Sequence, residues 1–239
     1  MNTVKIKKRK TLMVAHRGVS GLETENTNAA FVAAGSRSYY GIETDVHRTK
    51  DGKFAICHDA SLKRISGLDI DVEESTLEEL QAVRLLDKDG ADDRVDLHIT
   101  TPENYLKICK KYEKHAVFEL KSDFTDEEIA ALVEIVKKYG YLENLTFISF
   151  IYENLRKVRK LLPNQSVQFL FTEFTDEILD NITRDKMDID VYYKALTKEN
   201  VKMLHKKGFK INCWTVDDPK DAETLAKWGV DLITSNILE

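Results

Sequence analysis

Several charged residues stand where short apolar runs end or alternate. His16 and Arg17 follow Leu12–Ala15, Glu43 and Asp45 alternate within Gly41–Val46, and Glu119 and Lys121 close the run from Ala116 to Leu120. Residues i and i+2 of a strand share a face, so Glu43 points with Asp45 and Glu119 with Lys121. If these strands end at one rim, three carboxylates converge there. Their mutual repulsion and lost hydration call for compensation, and a hard divalent cation with oxygen ligands, Ca2+ or Mg2+, supplies it. Ion pairing with Arg17 and Lys121 in a structural network is the alternative at this level. His16 and His58 fall beside the same cluster, and imidazole does acid–base work near neutral pH with little tuning. Arg17 offers a planar fork and Lys121 a point charge, so the group suits a phosphate ester better than a neutral sugar. Cys57 adjoins His58, but alternation turns it to the opposite face and leaves it a structural role.

Eight β-branched or apolar runs can position these residues: Leu12–Ala15, Gly41–Val46, Ala116–Leu120, Leu145–Ser149, Val167–Phe171, Ile189–Tyr192, Lys210–Thr215 and Val230–Thr234. Helical patterns alternate with them, a rhythm that predicts βα units around a parallel sheet, and 239 residues suit one (β/α) barrel. Thr125 with Glu128 reads as a capping box before Ile129, Leu132, Val133 and Val136, and Gly140 as the stop. Thr101-Pro102 starts another helix. One interval breaks the rhythm. Residues 47 to 101 form an insertion after the second strand, where barrel loops carry the active site. Asp51-Gly52 predicts a two-residue hairpin turn; with Lys50 opposite Lys53, His58 comes to lie opposite Asp45.

Composition narrows the partners. With 36 basic and 41 acidic side chains the formal charge is −5, which leaves no footprint for nucleic acid. Cys57, Cys109 and Cys213 lack any CxxC spacing, so neither a disulfide framework nor a zinc site is expected and a reducing, cytoplasmic location is. Five basic residues lie between Lys5 and Lys10, followed by an apolar run too short for a leader or a membrane span. That segment reads as a solvated extension that helps cover the barrel floor, with anionic lipid contact the lesser alternative. Nothing in the pattern bears on oligomeric state.

In order along the chain, His16-Arg17-Gly18, Glu25-Asn26-Thr27, Glu43-Thr44-Asp45-Val46, Thr49-Lys50-Asp51-Gly52, His58-Asp59, Glu119-Leu120-Lys121, Ser149-Phe150, Trp214-Thr215-Val216 and Gly229-Val230-Asp231 with Ile233-Thr234 resemble the glycerophosphodiester phosphodiesterases. The resemblance implies an α/β fold, a TIM (β/α)8 barrel with a small insertion after strand two, spanning the whole chain. It also implies Glu43, Asp45 and Glu119 as ligands of Ca2+ or Mg2+, His16 and His58 as the acid–base pair, Arg17 and Lys121 on the phosphate, and Trp214 against glycerol. Glu25 and Asn26 would organise the first loop. The implied reaction is hydrolysis of a small glycerophosphodiester to glycerol 3-phosphate and an alcohol. A lysophospholipase D or sphingomyelinase D-like enzyme is the nearest rival, and a non-catalytic phosphate-ester binder the rival of another class. The chain departs from the family pattern at Thr24, where proline is usual, and at Ser235-Asn236-Ile237, where the usual Asp and Pro are missing. Neither change is expected to touch the histidines or the carboxylates.

Overall fold

A computed structural model of the protein describes residues 2–239. Nine strands form one sheet: β1 (Leu12–Ala15), β2 (Gly41–Arg48), β3 (Phe54–Ile56), β4 (His115–Leu120), β5 (Leu145–Ser149), β6 (Ser166–Phe171), β7 (Asp188–Tyr192), β8 (Ile211–Trp214) and β9 (Leu232–Ser235). All but β3 run parallel in the order β1-β9-β8-β7-β6-β5-β4-β2, and the pairing of β1 with β2 closes them into a TIM (β/α)8 barrel. The expected strands are all present, with ends shifted by at most two residues. β1 reaches only Ile42 on its neighbour, so β3 takes over the free edge of β2 and pairs antiparallel with Val46–Arg48.

The helices are α1 (Asn28–Gly35), α2 (Lys63–Ser66), α3 (Leu77–Ala82), α4 (Pro102–Lys111), α5 (Asp126–Lys138), α6 (Tyr152–Leu161), α7 (Asp176–Asp185), α8 (Lys198–Lys206) and α9 (Pro219–Trp228). Threonine hydroxyls cap α1, α3, α4, α5, α7 and α8, and the Asp218 carboxylate caps α9, each accepting an N–H that the helix start leaves unpaired. The capping box of Thr125 and Glu128 is formed, and Gly140 follows the last turn of α5 at φ +64°. Between strands and helices lies a core that includes Phe31, Tyr105, Phe118 and Phe147, while Val14, Val117, Ile148, Leu170 and Leu232 fill the barrel interior.

The segment from 49 to 101 packs around its own apolar cluster, with Ala55, Cys57, Leu62, Ile65, Leu80 and Leu97 among its members. Its hairpin differs from expectation by one residue. Thr49 pairs with Lys53, so the loop is Lys50-Asp51-Gly52, with Gly52 at φ +68° and its N–H bonded to the Thr49 carbonyl at 3.0 Å. A three-residue loop of this kind ends on a residue in the left-handed region, which glycine adopts without strain. The register moves accordingly, and Cys57 takes the place expected for His58, donating its N–H to the Asp45 carbonyl. The N-terminal segment also departs from expectation: Val4 and Ile6 pair with the last residues of the chain, and only Arg9, Lys10 and Thr11 reach the floor. Among the described residues no helix is long and apolar enough to cross a membrane.

Candidate active site

The C-terminal ends of β1, β2 and β4 carry the charged residues singled out above. Glu43, Asp45 and Glu119 each present an oxygen within 4.8 Å of the others. Around them the first loop is tightly folded. Arg17 sits at φ +53°, a conformation that costs a side-chain-bearing residue energy, and this turns its N–H onto Glu43 Oε2 at 2.8 Å. Gly18 follows at φ +76°, and a Cβ there would lie 2.7 Å from Ala30, so glycine alone lets the turn close onto α1.

Asp45 is fully buried. Its Oδ2 accepts from Asn26 Nδ2 at 2.8 Å and lies 3.4 Å from Arg17 Nε, while Oδ1 lies 3.6 Å from Lys121 Nζ. Lys121 donates to Glu119 Oε1 at 2.8 Å. Burial works to raise the Asp45 pKa, but the charges of Arg17 and Lys121 outweigh it and hold the group below the usual range. Glu43 goes the other way, raised well above the usual range by burial and by the charges of Asp45 and Glu119. Glu119 is pushed up to about 7 by burial and by Asp45. Among the described residues, nothing hydrogen-bonds to the buried Glu43 Oε1 or Asp45 Oδ1. Three crowded carboxylates with two orphaned oxygens fit a hard divalent cation better than a closed ion-pair network, which would have satisfied them.

The two histidines face this cluster from different elements. His16 Nδ1 lies 2.7 Å from Asn236 Oδ1, and burial together with Arg17 drives its pKa down to about 4. Sequence reasoning expected the altered segment after β9 to stay clear of the histidines; barrel closure instead sets β9 beside β1, and Asn236 becomes the partner of His16. Asp217 in turn holds Asn236, accepting its backbone N–H at 2.8 Å. His58 arrives through the bend after β3 and not through strand register. Its Nδ1 lies 2.7 Å from Asp59 Oδ1, and burial lowers its pKa against the opposing charge of Asp45. Asp59 then accepts from Arg64 Nε at 2.6 Å, Arg64 grips both oxygens of Glu25 at 2.8 and 2.9 Å, and Glu25 accepts from Arg17 at 2.9 Å. A chain of charge-assisted bonds thus links the insertion to the first loop.

His16, Arg17, Glu43, His58, Glu119 and Trp214 line one cleft of about 90 Å3, with Asp45 and Lys121 beside it. Trp214 packs edge-on against Phe150, ring centroids 5.4 Å apart, and gives the cleft an apolar wall. Sequence reasoning passed over Arg64 and Asp190. Asp190 is a buried carboxyl in the middle of β7 that also borders the cleft, and its position inside the apolar run Ile189–Tyr192 was the available signal.

The model of the glycerophosphoryl diester phosphodiesterase family matches residues 16–238. The chain belongs to that family. It is 31% identical over 244 residues to a glycerophosphodiester phosphodiesterase of Caldanaerobacter subterraneus subsp. tengcongensis, covering 95% of this chain and 94% of that one. Among solved structures, an Oleispira antarctica phosphodiesterase in complex with the product sn-glycerol-3-phosphate superposes with a TM-score of 0.89 at 24% identity, covering 98% of this chain and 96% of that one. A glycerophosphodiester phosphodiesterase from Thermotoga maritima gives 0.75 at 27% identity, covering 95% and 94%. As a phosphodiesterase of this family the chain is an enzyme.

Proposed function

We propose that this phosphodiesterase hydrolyses glycerophosphodiesters to glycerol 3-phosphate and an alcohol, with Glu43, Asp45 and Glu119 holding Ca2+ or Mg2+ and with His16 and His58 as the acid–base pair. One observation carries the reading: two cations and two imidazoles surround three carboxylates, two of them with an orphaned oxygen, at the end of the barrel where βα loops build active sites. The family and the name of the 31% identical relative support the substrate class. A divalent cation bound there would supply Lewis-acid stabilisation of phosphoryl charge.

The side chains divide the remaining work. Arg17 and Lys121 bring positive charge to the phosphoryl oxygens, and the Trp214 face lies against the glycerol carbons. His16 has its Nδ1 committed to Asn236 and is neutral at pH 7, which leaves Nε2 to accept a proton. His58 donates Nδ1–H to the Asp59 carboxylate, and the anionic diester adds charge that favours the protonated ring, so Nε2 can donate to the leaving alcohol. The glycerol hydroxyl next to the ester attacks phosphorus as His16 takes its proton. The alcohol leaves with the proton from His58, and water opens the resulting cyclic phosphate. Internal attack gains up to roughly 7–11 kcal/mol from proximity in well-oriented cases. Three buried, unpaired cysteines support a reducing, cytoplasmic setting.

Turnover of a panel of glycerophosphodiesters, together with an analogue lacking only the adjacent hydroxyl, tests this reading. Glycerol 3-phosphate from the panel and a bound but unreactive analogue are expected. Near-normal hydrolysis of the analogue would replace internal attack with direct attack by water, and an inert panel would remove the substrate assignment.

A further inference from the structure

A cavity of about 920 Å3 opens at the barrel floor, at the N-terminal ends of the strands and on the face opposite His16 and His58. Arg9, Lys10, Lys210 and Lys227 line it, and among the described residues none of these four side chains makes an ion pair or a hydrogen bond. Two carboxylates share the cavity. Asp231 Oδ2 lies 2.9 Å from His205 Nε2 and accepts from the N–H of Ile211 at 2.9 Å, and Glu143 is the second. On a chain of net charge −5, four cations and two carboxylates therefore line one hollow, a local excess of positive charge. Helix C-termini gather basic residues as a matter of course, which explains Lys227 in the last turn of α9. It does not explain Arg9, Lys10 or Lys210, which lie outside the helices.

The walls add directed groups to this charge. Thr146 Oγ1 lies 2.9 Å from His115 Nε2 and 3.0 Å from Ser166 Oγ, and both hydroxyls border the cavity. The His115 ring stacks on Tyr40, with centroids 5.1 Å apart and planes 16° apart, and Tyr40 keeps 39% of its surface exposed. We propose that the floor is a second binding site, specific for a phosphate monoester. Lys210, Lys227 and Arg9 would neutralise the dianion, Ser166 would donate to one of its oxygens, and the Tyr40–His115 stack would carry the organic part. The site is independent of the reaction proposed at the rim.

The His115 ring resonances of the metal-free protein, followed by NMR, report on the floor alone. Inorganic phosphate and glycerol 3-phosphate are the soluble probes, with sodium chloride at matched ionic strength as control. Saturable shifts at His115 are expected, and in the K210Q/K227Q variant their midpoint should rise at least tenfold while the midpoints at His16 and His58 stay in place. Both lysines are exposed, so the variant keeps its fold. Vesicles of phosphatidylcholine with and without phosphatidic acid identify the source of the phosphate: retention lost in the same variant assigns a lipid headgroup, and saturation in solution assigns a free metabolite. No response to either source, a response matched by sodium chloride, or one unchanged in K210Q/K227Q would overturn the site.

Discussion

The same eight strands end in two polar surfaces of opposite character. At the rim cations and carboxylates interlock, with carboxylate in excess: Arg17 meets Asp45 and Glu25, Lys121 meets Glu119 and Asp45, and His58 meets Asp59, while Glu43, among the described residues, has only the Arg17 backbone N–H. At the floor four cations line a cavity, and among the described residues none of them has an ion-pair partner. One strand serves both ends, because His115, Val117, Glu119 and Lys121 fall on one face of β4 and its extension. Val117 packs with Val14, Ile148, Leu170 and Leu232 in an apolar layer between them. That layer lets a closed barrel carry one electrostatic character at the top and another at the bottom, since each end is built from side chains that do not have to satisfy the other.

Asp45→Ala breaks the rim most severely. It removes the carboxylate that binds Asn26, Arg17 and Lys121 together, and with it one of the three proposed cation ligands, so kcat/KM is expected to fall by about 10³-fold or more. The His115 response to phosphate should persist in the same protein. Full activity in this variant would show that no cation is held there. His16→Ala and His58→Ala come next, each expected to lower kcat by about 10²- to 10⁴-fold with the fold intact by circular dichroism. A variant that kept most of its kcat would lose its assigned role. Asp59→Asn leaves His58 in place but removes the charge behind it. A loss of about tenfold in kcat is expected, with an altered pH–rate profile, because a hydrogen bond to a charged group contributes about 1.5–3 kcal/mol and this one is partly exposed.

The smallest effect belongs to the floor. Burial and the charge of Lys210 push His115 down to about 4 from an ordinary 6.5. Between those values the unfolded chain binds a proton that the folded chain does not, so this contribution to stability is complete above about 6.5 and is lost as the pH falls toward 4. Thermal unfolding of His115→Gln is expected to show a shallower loss of stability than the parent across that window, and identical slopes would contradict the assignment.

The barrel was legible because its signals are local. Apolar runs, the Thr125 capping box and Thr101-Pro102 each act within a few residues, and the i, i+2 rule alone put Glu43 beside Asp45 and Glu119 beside Lys121. What lay beyond reach depends on closure and on loop geometry. His16 and Asn236 are separated by 220 positions and meet only because β9 pairs with β1. Arg64 finds Glu25 across 39 positions when the insertion folds over the first loop. His58 was placed at the correct rim by an incorrect route, since a three-residue loop moves the register by one and the chain then bends to bring the imidazole back.

The measurement that bears most directly on the rim is 31P NMR of glycerophosphocholine incubated with the protein, first after exhaustive chelation and then with Ca2+ or Mg2+ restored. The proposed cation ligands and acid–base pair predict that the diester resonance persists in the chelated sample and is replaced by that of glycerol 3-phosphate once the cation returns. Full turnover without the cation, or phosphocholine in place of glycerol 3-phosphate, would contradict them.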